Sequence, residues 1–186
     1  MTLGDIKKKV LTLIEEADTE KTEETNDPDI ELKLNHVINA IQFELSRYKK
    51  IPGYIELDVE EGDTINFAKI EKKTKCKIYQ IEIIKGVSFD SKANGTIFKI
   101  LESGIAEIDY YKYPTVIDEN TSNDYEMELS LDALEIMPYG VAADVLKADV
   151  SNSYGQIYAT RYNQMIQTLD SRNAMPSMEV EGGFDV

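Results

Sequence analysis

The chain has 186 residues, of which 42% are hydrophobic and 9% aromatic, and a globular chain of this length can bury its own core. Its 20 lysine and arginine residues against 35 aspartate and glutamate residues give a net charge of -15, which disfavours tight binding to nucleic acid. The single cysteine, Cys76, excludes an internal disulfide. Because the sequence has no long apolar run, we expect neither a membrane span nor a secretory leader. We therefore expect a soluble protein that is made in a cytoplasm and has no membrane partner.

Two amphipathic helices are predicted in the first part of the chain. The first covers residues 3–17, where apolar residues recur every three or four positions after Thr2, a capping residue. The second begins at Asp27 and Pro28, because aspartate caps helices well and proline suits the first helical turn. It ends where Pro52-Gly53 interrupts the helical pattern.

After residue 53 the apolar period changes to two, which is typical of strands. The predicted strands cover residues 55–59, 64–70, 75–84, 86–89, 96–101 and 106–113. Asn94-Gly95 is the best hairpin signal, since both residues tolerate positive φ, and Ser103-Gly104 predicts a second turn. Short strands without a helix between them predict a small antiparallel barrel or sandwich.

Two further helices are predicted after a polar connection that follows the strands. Ser130 is positioned to cap a run in which Pro138 is expected to kink or divide the helix. A last helix is predicted over residues 154–169 from an apolar stripe at helical spacing, formed by Tyr154, Ile157, Tyr158, Tyr162, Met165, Ile166 and Leu169. Residues 172–186 contain Pro176 and two consecutive glycines among scattered apolar residues, so we expect an extended arm that needs a partner to bury them.

The predicted fold class is α+β, with a four-helix body of two helical pairs, an inserted small antiparallel β-barrel or sandwich domain, and an extended C-terminal arm. The expected domains are a first helical pair in 1–52, the inserted β-domain in 53–113, a second helical pair in 114–171 and a docking arm in 172–186.

No catalytic or metal-binding constellation is found in the sequence. A single His36 and a single Cys76 cannot supply a tetrahedral zinc site or a nucleophile with its base, and the common hydrolase and nucleotide-binding motifs are absent. The acids around Asp27 lie at a helix start, where acids more often serve the cap and the helix dipole than bind calcium. The acids around Asp58 lack the ligand spacing of a calcium loop. We expect no enzyme activity, no cofactor and no bound metal.

Two segments resemble a known family. The segments LEIMPYGVAADVLKADVSNSYGQIYATRYNQMIQTLD and NHVINAIQFELSRYKKIP resemble helices of head-tail connector, or adaptor, proteins of tailed bacteriophages. The resemblance covers the four predicted helical segments through patterns of apolar and small residues. It implies a homo-oligomeric ring, a dodecamer, docked beneath the portal protein in the virion, with a tail-side stopper or tail terminator protein below it. DNA would pass through the ring without specific binding.

The resemblance also implies roles for particular residues. The arm would dock on the portal or on a neighbouring subunit through the apolar residues Met175, Met178, Val180 and Phe184. Acids of the C-terminal third would line the channel and keep DNA from sticking, namely Asp144, Asp149 and Asp170. The virion protein would be made in the bacterial host cytoplasm.

Two other classes of function remain open from the sequence. The second class is a soluble acidic inhibitor, for example a DNA mimic that binds a DNA-binding protein in place of DNA. The third is a metal-dependent enzyme that uses the carboxylates around Asp27 or Asp58. An adaptor is expected to form rings, and an inhibitor is expected to bind a basic partner. A metal-dependent enzyme is expected to gain stability when a divalent metal binds.

Overall fold

The computed structural model describes residues 1–15, 25, 27–147 and 153–171. In these residues the helices are α1 (Leu3–Leu13), α2 (Pro28–Tyr48), α3 (Phe67–Thr74), α4 (Leu131–Leu146) and α5 (Ser153–Ser171). The strands are β1 (Ile51–Val59), β2 (Thr64–Asn66), β3 (Ile78–Lys85), β4 (Phe89–Lys92), β5 (Ile97–Ile100) and β6 (Gly104–Lys112). They form two antiparallel sheets of three strands, in the orders β1-β6-β3 and β2-β5-β4.

The predicted four-helix body with an inserted β-barrel or sandwich is wrong. The described residues form five helices and two small sheets, and the sheets do not close into a barrel. In the described part of the chain, β1 and β3 pair only with β6, and β2 and β4 pair only with β5. Each sheet therefore keeps two edge strands, whereas a barrel has none.

The fifth helix, α3, begins inside the predicted strand 64–70 and fills the gap between that strand and the predicted strand 75–84. The Oδ1 atom of Asn66 accepts a hydrogen bond from the backbone N–H of Lys69 at 2.9 Å and caps the helix. Ile70 is its one fully buried residue, and the rest of the helix is mostly polar. A cap followed by strong helix formers outweighs the apolar alternation that indicated a strand.

Helices α1, α2, α4 and α5 share one hydrophobic cluster. Helix α4 lies at its centre and packs against the other three, with Met137 fully buried. The predicted cap at Thr2 is confirmed, and Thr2 forms a capping box with Asp5. Helix α1 ends at Leu13 because Glu15 adopts a left-handed conformation with φ of 62°. Among the described helices, none has both the length and the apolar character needed to cross a membrane.

The strands and α3 enclose a second hydrophobic cluster that shares no buried residue with the first. We call this part, residues 53–112, the β-module. The pairing of β1 with β6 is continuous over nine residues, whereas β3 joins β6 with two irregularities in register. Alternate residues of β1 and β6, such as Leu57 and Ile108, point into this cluster, and the residues between them point away from it.

Several predicted boundaries differ from the observed ones. The capping of α2 by Asp27 with Pro28 in the first turn is confirmed, but Pro52-Gly53 lies inside β1 rather than in a break. Ser103-Gly104 joins strands of different sheets, so it makes no hairpin. Helix α4 continues through Pro138, and Ser130 occupies its N-cap position without a side-chain capping hydrogen bond.

The hairpin predicted at Asn94-Gly95 is confirmed in position. Both residues have positive φ, 54° and 78°, and they connect β4 to β5. The connection contains the short 3₁₀ turn Ala93–Gly95 and is longer than the predicted two residues. Ala93 also has positive φ, so this turn places a strained conformation on a residue with a Cβ atom.

Candidate interaction surfaces

A groove of about 770 Å³ lies between α1 and α4. Leu131, at the start of α4, is 66% exposed beside it. Lys9 and Glu135 form an ion pair across the two helices with an Nζ to Oε1 distance of 2.9 Å. The groove is lined by Met1, Asp5, Lys8, Lys9, Thr12, Leu13, Leu131, Glu135, Pro138 and Tyr139. An open groove with this many apolar residues is typical of a surface that another polypeptide covers.

The groove continues onto α5 through a group of tyrosines. The rings of Tyr139 and Tyr158 lie 6.3 Å apart, and the hydroxyl of Tyr158 donates a hydrogen bond of 2.7 Å to the backbone oxygen of Leu13. Burial raises the pKa of Tyr158, so this hydroxyl stays protonated at neutral pH. Beyond it, Tyr154 and Ile157 are 57% and 56% exposed. The predicted apolar stripe of the last helix is therefore buried at its C-terminal end and exposed at its N-terminal end.

The outer side of the β1-β6-β3 sheet carries a group of acids that we call the acidic sheet face: Glu56, Asp58 and Glu107. Glu56 and Glu107 are direct partners in the β1–β6 register, and all three acids are exposed. Directly opposed like charges destabilise a pair of strands. Tyr54 and Ile105, which are 53% and 57% exposed, lie on the same side of the sheet. The face thus combines uncompensated negative charge with exposed apolar surface.

Two tyrosines donate hydrogen bonds to carboxylates of this sheet. The hydroxyl of Tyr54 donates to Glu56 at 2.7 Å, and this bond, with the negative charge nearby, raises the pKa of Tyr54 to about 12. A hydrogen bond to Glu82 likewise raises the pKa of Tyr111 to about 12. Both hydroxyls therefore remain neutral donors at neutral pH.

The exposed lysines Lys72, Lys73 and Lys75, at the end of α3 and just after it, form what we call the lysine face. None of the three has an ion-pair partner among the described residues. The other two lysines of this segment are paired, Lys69 with Asp63 at 3.0 Å and Lys77 with Glu71 at 2.9 Å. Cations near the C-terminus of a helix are favoured by its dipole, so the lysine face is compatible with a stable α3.

One of the residues predicted to line a channel lies fully within the described part of the chain. Asp144 is exposed on α4, and its carboxylate is 4.0 Å from the Nζ atom of Lys147. Asp149 lies outside the described residues, and so does the side chain of Asp170. The predicted docking residues also lie outside them: Met175, Met178, Val180 and Phe184.

Asp27, one of the residues weighed as metal ligands, has other contacts. Asp27 Oδ1 accepts hydrogen bonds from the backbone N–H groups of Asp29 and Ile30, at 2.8 and 3.4 Å, so its carboxylate serves the start of α2. His36 is exposed on α2. In the residues that the structure describes, no three His, Cys, Asp or Glu side chains are grouped so that they could hold a metal ion.

The sequence indicated neither the acidic sheet face nor the groove. Glu56 and Glu107 are brought together only by the register of β1 and β6, which no local signal specifies. Residues 3–13 and 131–146 were both predicted to be helical, but their packing against each other is a tertiary property. Comparison with known protein families yields no matching family model, and comparison with curated proteins yields no match.

Proposed function

We propose that the chain is a structural virion protein, the adaptor of a tailed-bacteriophage head-tail connector. It forms a homo-oligomeric ring, a dodecamer, between the portal protein and a tail-side stopper or tail terminator protein. It has no catalytic role, and DNA passes through the ring without specific binding. The proposal starts from the resemblance of the helical segments to this family and rests on one structural observation.

That observation is the apolar surface that runs from the α1–α4 groove to the N-terminal end of α5. Leu131, Tyr154 and Ile157 are each more than half exposed on a chain whose net charge is -15. The net charge favours the solubility of the chain, but it does not account for an exposed apolar surface. Contiguous exposed apolar groups mark contacts with other polypeptides. In a subunit of an assembly, another polypeptide covers this surface.

The proposal assigns two further roles. Asp144, exposed on α4, faces the channel together with Asp149 and Asp170, so that the inner wall repels the DNA phosphates. The arm of residues 172–186 docks on the portal or on a neighbouring subunit through Met175, Met178, Val180 and Phe184. An extended segment can bind in this way by adding a strand to a sheet edge.

The test is assembly on isolated portal rings, read by electron microscopy and native mass spectrometry. The wild-type chain is expected to add to the portal as a ring, and Leu131→Lys is expected to lower its occupancy about tenfold, because a charge would then be buried in the contact. Val116→Lys is the matched control, since Val116 is 62% exposed and lies outside the groove residues. A wild-type chain that leaves portal rings bare contradicts the proposal.

A second candidate is favoured by the acidic sheet face. Glu56, Asp58 and Glu107 lie on one side of one sheet, as expected of an acidic inhibitor that mimics DNA toward a basic protein. Such a protein acts as a monomer or dimer. Sedimentation of the chain alone, and then with a DNA-binding protein from the same genome, distinguishes it from a ring-forming subunit.

A further inference from the structure

Two surfaces of opposite charge lie on different sides of the β-module. In the β1-β6-β3 sheet, Leu57 and Ile108 point into the second hydrophobic cluster, so Glu56 and Glu107 point away from it. In α3, Ile70 points into the same cluster. The lysine face therefore lies on another side of the cluster, and one copy of the chain cannot join its own two surfaces.

The acids of the sheet face have no cation of their own. The nearest candidate is Lys85, which is the register partner of Glu107 on β3. Its Nζ atom instead pairs with Asp109 at 3.3 Å. No ion pair reaches Glu56, Asp58 or Glu107 from any described residue. The opposed pair Glu56 and Glu107 is an electrostatic cost that a cation from outside the chain would remove.

The lysines of the lysine face, in turn, have no acidic ion-pair partner among the described residues. Lys72 lies about half a helical turn from Ile70 and is exposed, as is its neighbour Lys73. Lys75 follows at the C-cap with φ of 61°. Thus three acids and three lysines that have no ion-pair partner among the described residues lie on separate surfaces of the β-module.

The charge of the whole chain limits how copies can meet. With a net charge of -15 each, two copies repel one another unless their contact brings a positive surface to a negative one. The lysine face and the acidic sheet face can do this. Tyr54 and Ile105 add apolar area beside the acids, and the aliphatic parts of lysine side chains can cover such area.

We propose that the acidic sheet face of one copy binds the lysine face of the next copy. The two surfaces are different, so the contact is heterologous, and its repetition produces a ring when the rotation closes. The inference rests on the proposed function in that a ring adaptor needs such a contact, and it assigns the residues that make it. The occupant of the acidic sheet face is thus a second copy of this chain.

Charge reversal tests the contact. The acidic-face variant is Glu56→Lys with Glu107→Lys, and the lysine-face variant is Lys72→Glu with Lys73→Glu. Sedimentation velocity and native mass spectrometry at low salt are expected to show oligomers for the wild type and about a tenfold or greater weakening for each variant alone. Circular dichroism checks that each variant is folded.

Mixing gives the decisive result. Each variant presents two surfaces of the same sign, so it repels itself, but every contact in an alternating mixture joins opposite charges. Equal amounts of the two variants are therefore expected to associate with each other, although neither variant associates alone. Variants that had merely lost their fold would not regain assembly on mixing. The control, Lys33→Glu with Arg47→Glu, makes the same change in net charge as the lysine-face variant at two exposed residues of α2, outside the groove and both faces, and is expected to assemble as the wild type does.

Three results overturn the inference: a monomeric wild type, variants that assemble as the wild type does, or a mixture that stays dissociated. A monomer whose acidic sheet face binds a basic protein supports the inhibitor instead. The portal assay separates the two proposals. If rings form on the portal despite both reversals, the assigned contact fails and the adaptor role stands, whereas charge-dependent oligomers that ignore the portal leave the contact standing without that role.

Discussion

Asn39 is joined to the backbone of Ile117 by two hydrogen bonds. Its Nδ2 atom donates to the oxygen of Ile117 at 2.7 Å, and its Oδ1 atom accepts from the N–H of Ile117 at 2.9 Å. The neighbouring Gln42, which is 2% exposed, donates to Asn39 Oδ1 and to the backbone oxygen of Thr115. The segment that leads from β6 to α4 is thereby fixed to the side of α2.

Asn39→Ala is expected to destabilise the protein strongly. It leaves both backbone groups of Ile117 and one donor of Gln42 without their partner, so we expect a loss of about 3 kcal/mol in the free energy of unfolding. Urea denaturation followed by circular dichroism measures it. The control is Asn35→Ala, one turn earlier in α2, where the side chain donates a single bond of 3.3 Å to Asp118 and the expected loss is below about 1 kcal/mol. Equal losses at the two positions would refute the proposed role of Asn39.

Gly140 permits a close contact between α4 and α5. A Cβ atom at this position would lie 2.7 Å from Cε2 of Tyr162, whose side chain is buried. Gly140→Ala therefore forces the helices apart or distorts the ring, at a cost of about 2 kcal/mol despite the better helix propensity of alanine. Thermal unfolding measures the change.

The double variant provides the check on that explanation. Tyr162→Leu removes the ring atoms that meet the new methyl group, so the costs of Gly140→Ala and Tyr162→Leu are expected to combine less than additively, by about 1 kcal/mol. Strict additivity would show that the methyl group does not meet the ring.

The contrast between α2 and α3 shows what local sequence can specify. Helix α2 was predicted because its cap, its proline and its long apolar stripe all lie within the segment itself. Helix α3 is eight residues long and buries only Ile70, so no stripe could reveal it. The exposure of Tyr154 and Ile157 was missed for a related reason: a helical stripe indicates which side of a helix is apolar, but not how far the neighbouring helices extend along it.

Glu128 is expected to make the stability of the protein dependent on pH. Burial disfavours its charged form, but hydrogen bonds from the Lys112 ammonium and the Thr115 backbone outweigh that effect and lower its pKa below the usual 4.5. A carboxylate whose pKa is lowered by folding stabilises the native state above the pKa of the unfolded chain. This contribution is lost as the pH falls through the lower, folded pKa.

Glu128→Gln removes the contribution at every pH. We expect the variant to be less stable than the wild type by about 1 kcal/mol at neutral pH, since the bonds to charge are partly exposed to solvent. The difference should persist down to about pH 4.5 and shrink below it. Denaturation curves from pH 7 to 3 measure it, with exposed Glu126→Gln as the control. A difference that grows on acidification would contradict the assignment.

The β-module is expected to be removable from the helices α1, α2, α4 and α5, which we call the helical body. Every buried residue of the first cluster lies within 3–51 or 117–169, and every one of the second lies within 57–110. The chain leaves and re-enters the body at neighbouring points, since Pro52 and Tyr111 are partners in the β1–β6 register. Adjacent antiparallel strands are close enough for a two-residue turn to join them.

Replacing residues 53–110 by Asn-Gly is therefore expected to leave a helical protein with a cooperative thermal transition. The shortened chain loses the hydrogen bond from Tyr113 N to Lys77 O and the contact of Lys50 with Gln80, so its transition should lie somewhat below that of the full chain. Circular dichroism and calorimetry test it, and Met137→Asp, which places a charge in the fully buried centre of α4, shows the signature of a disrupted body. If the shortened chain instead unfolds without cooperativity, as that control does, the two clusters depend on each other and the helical body requires the β-module to fold.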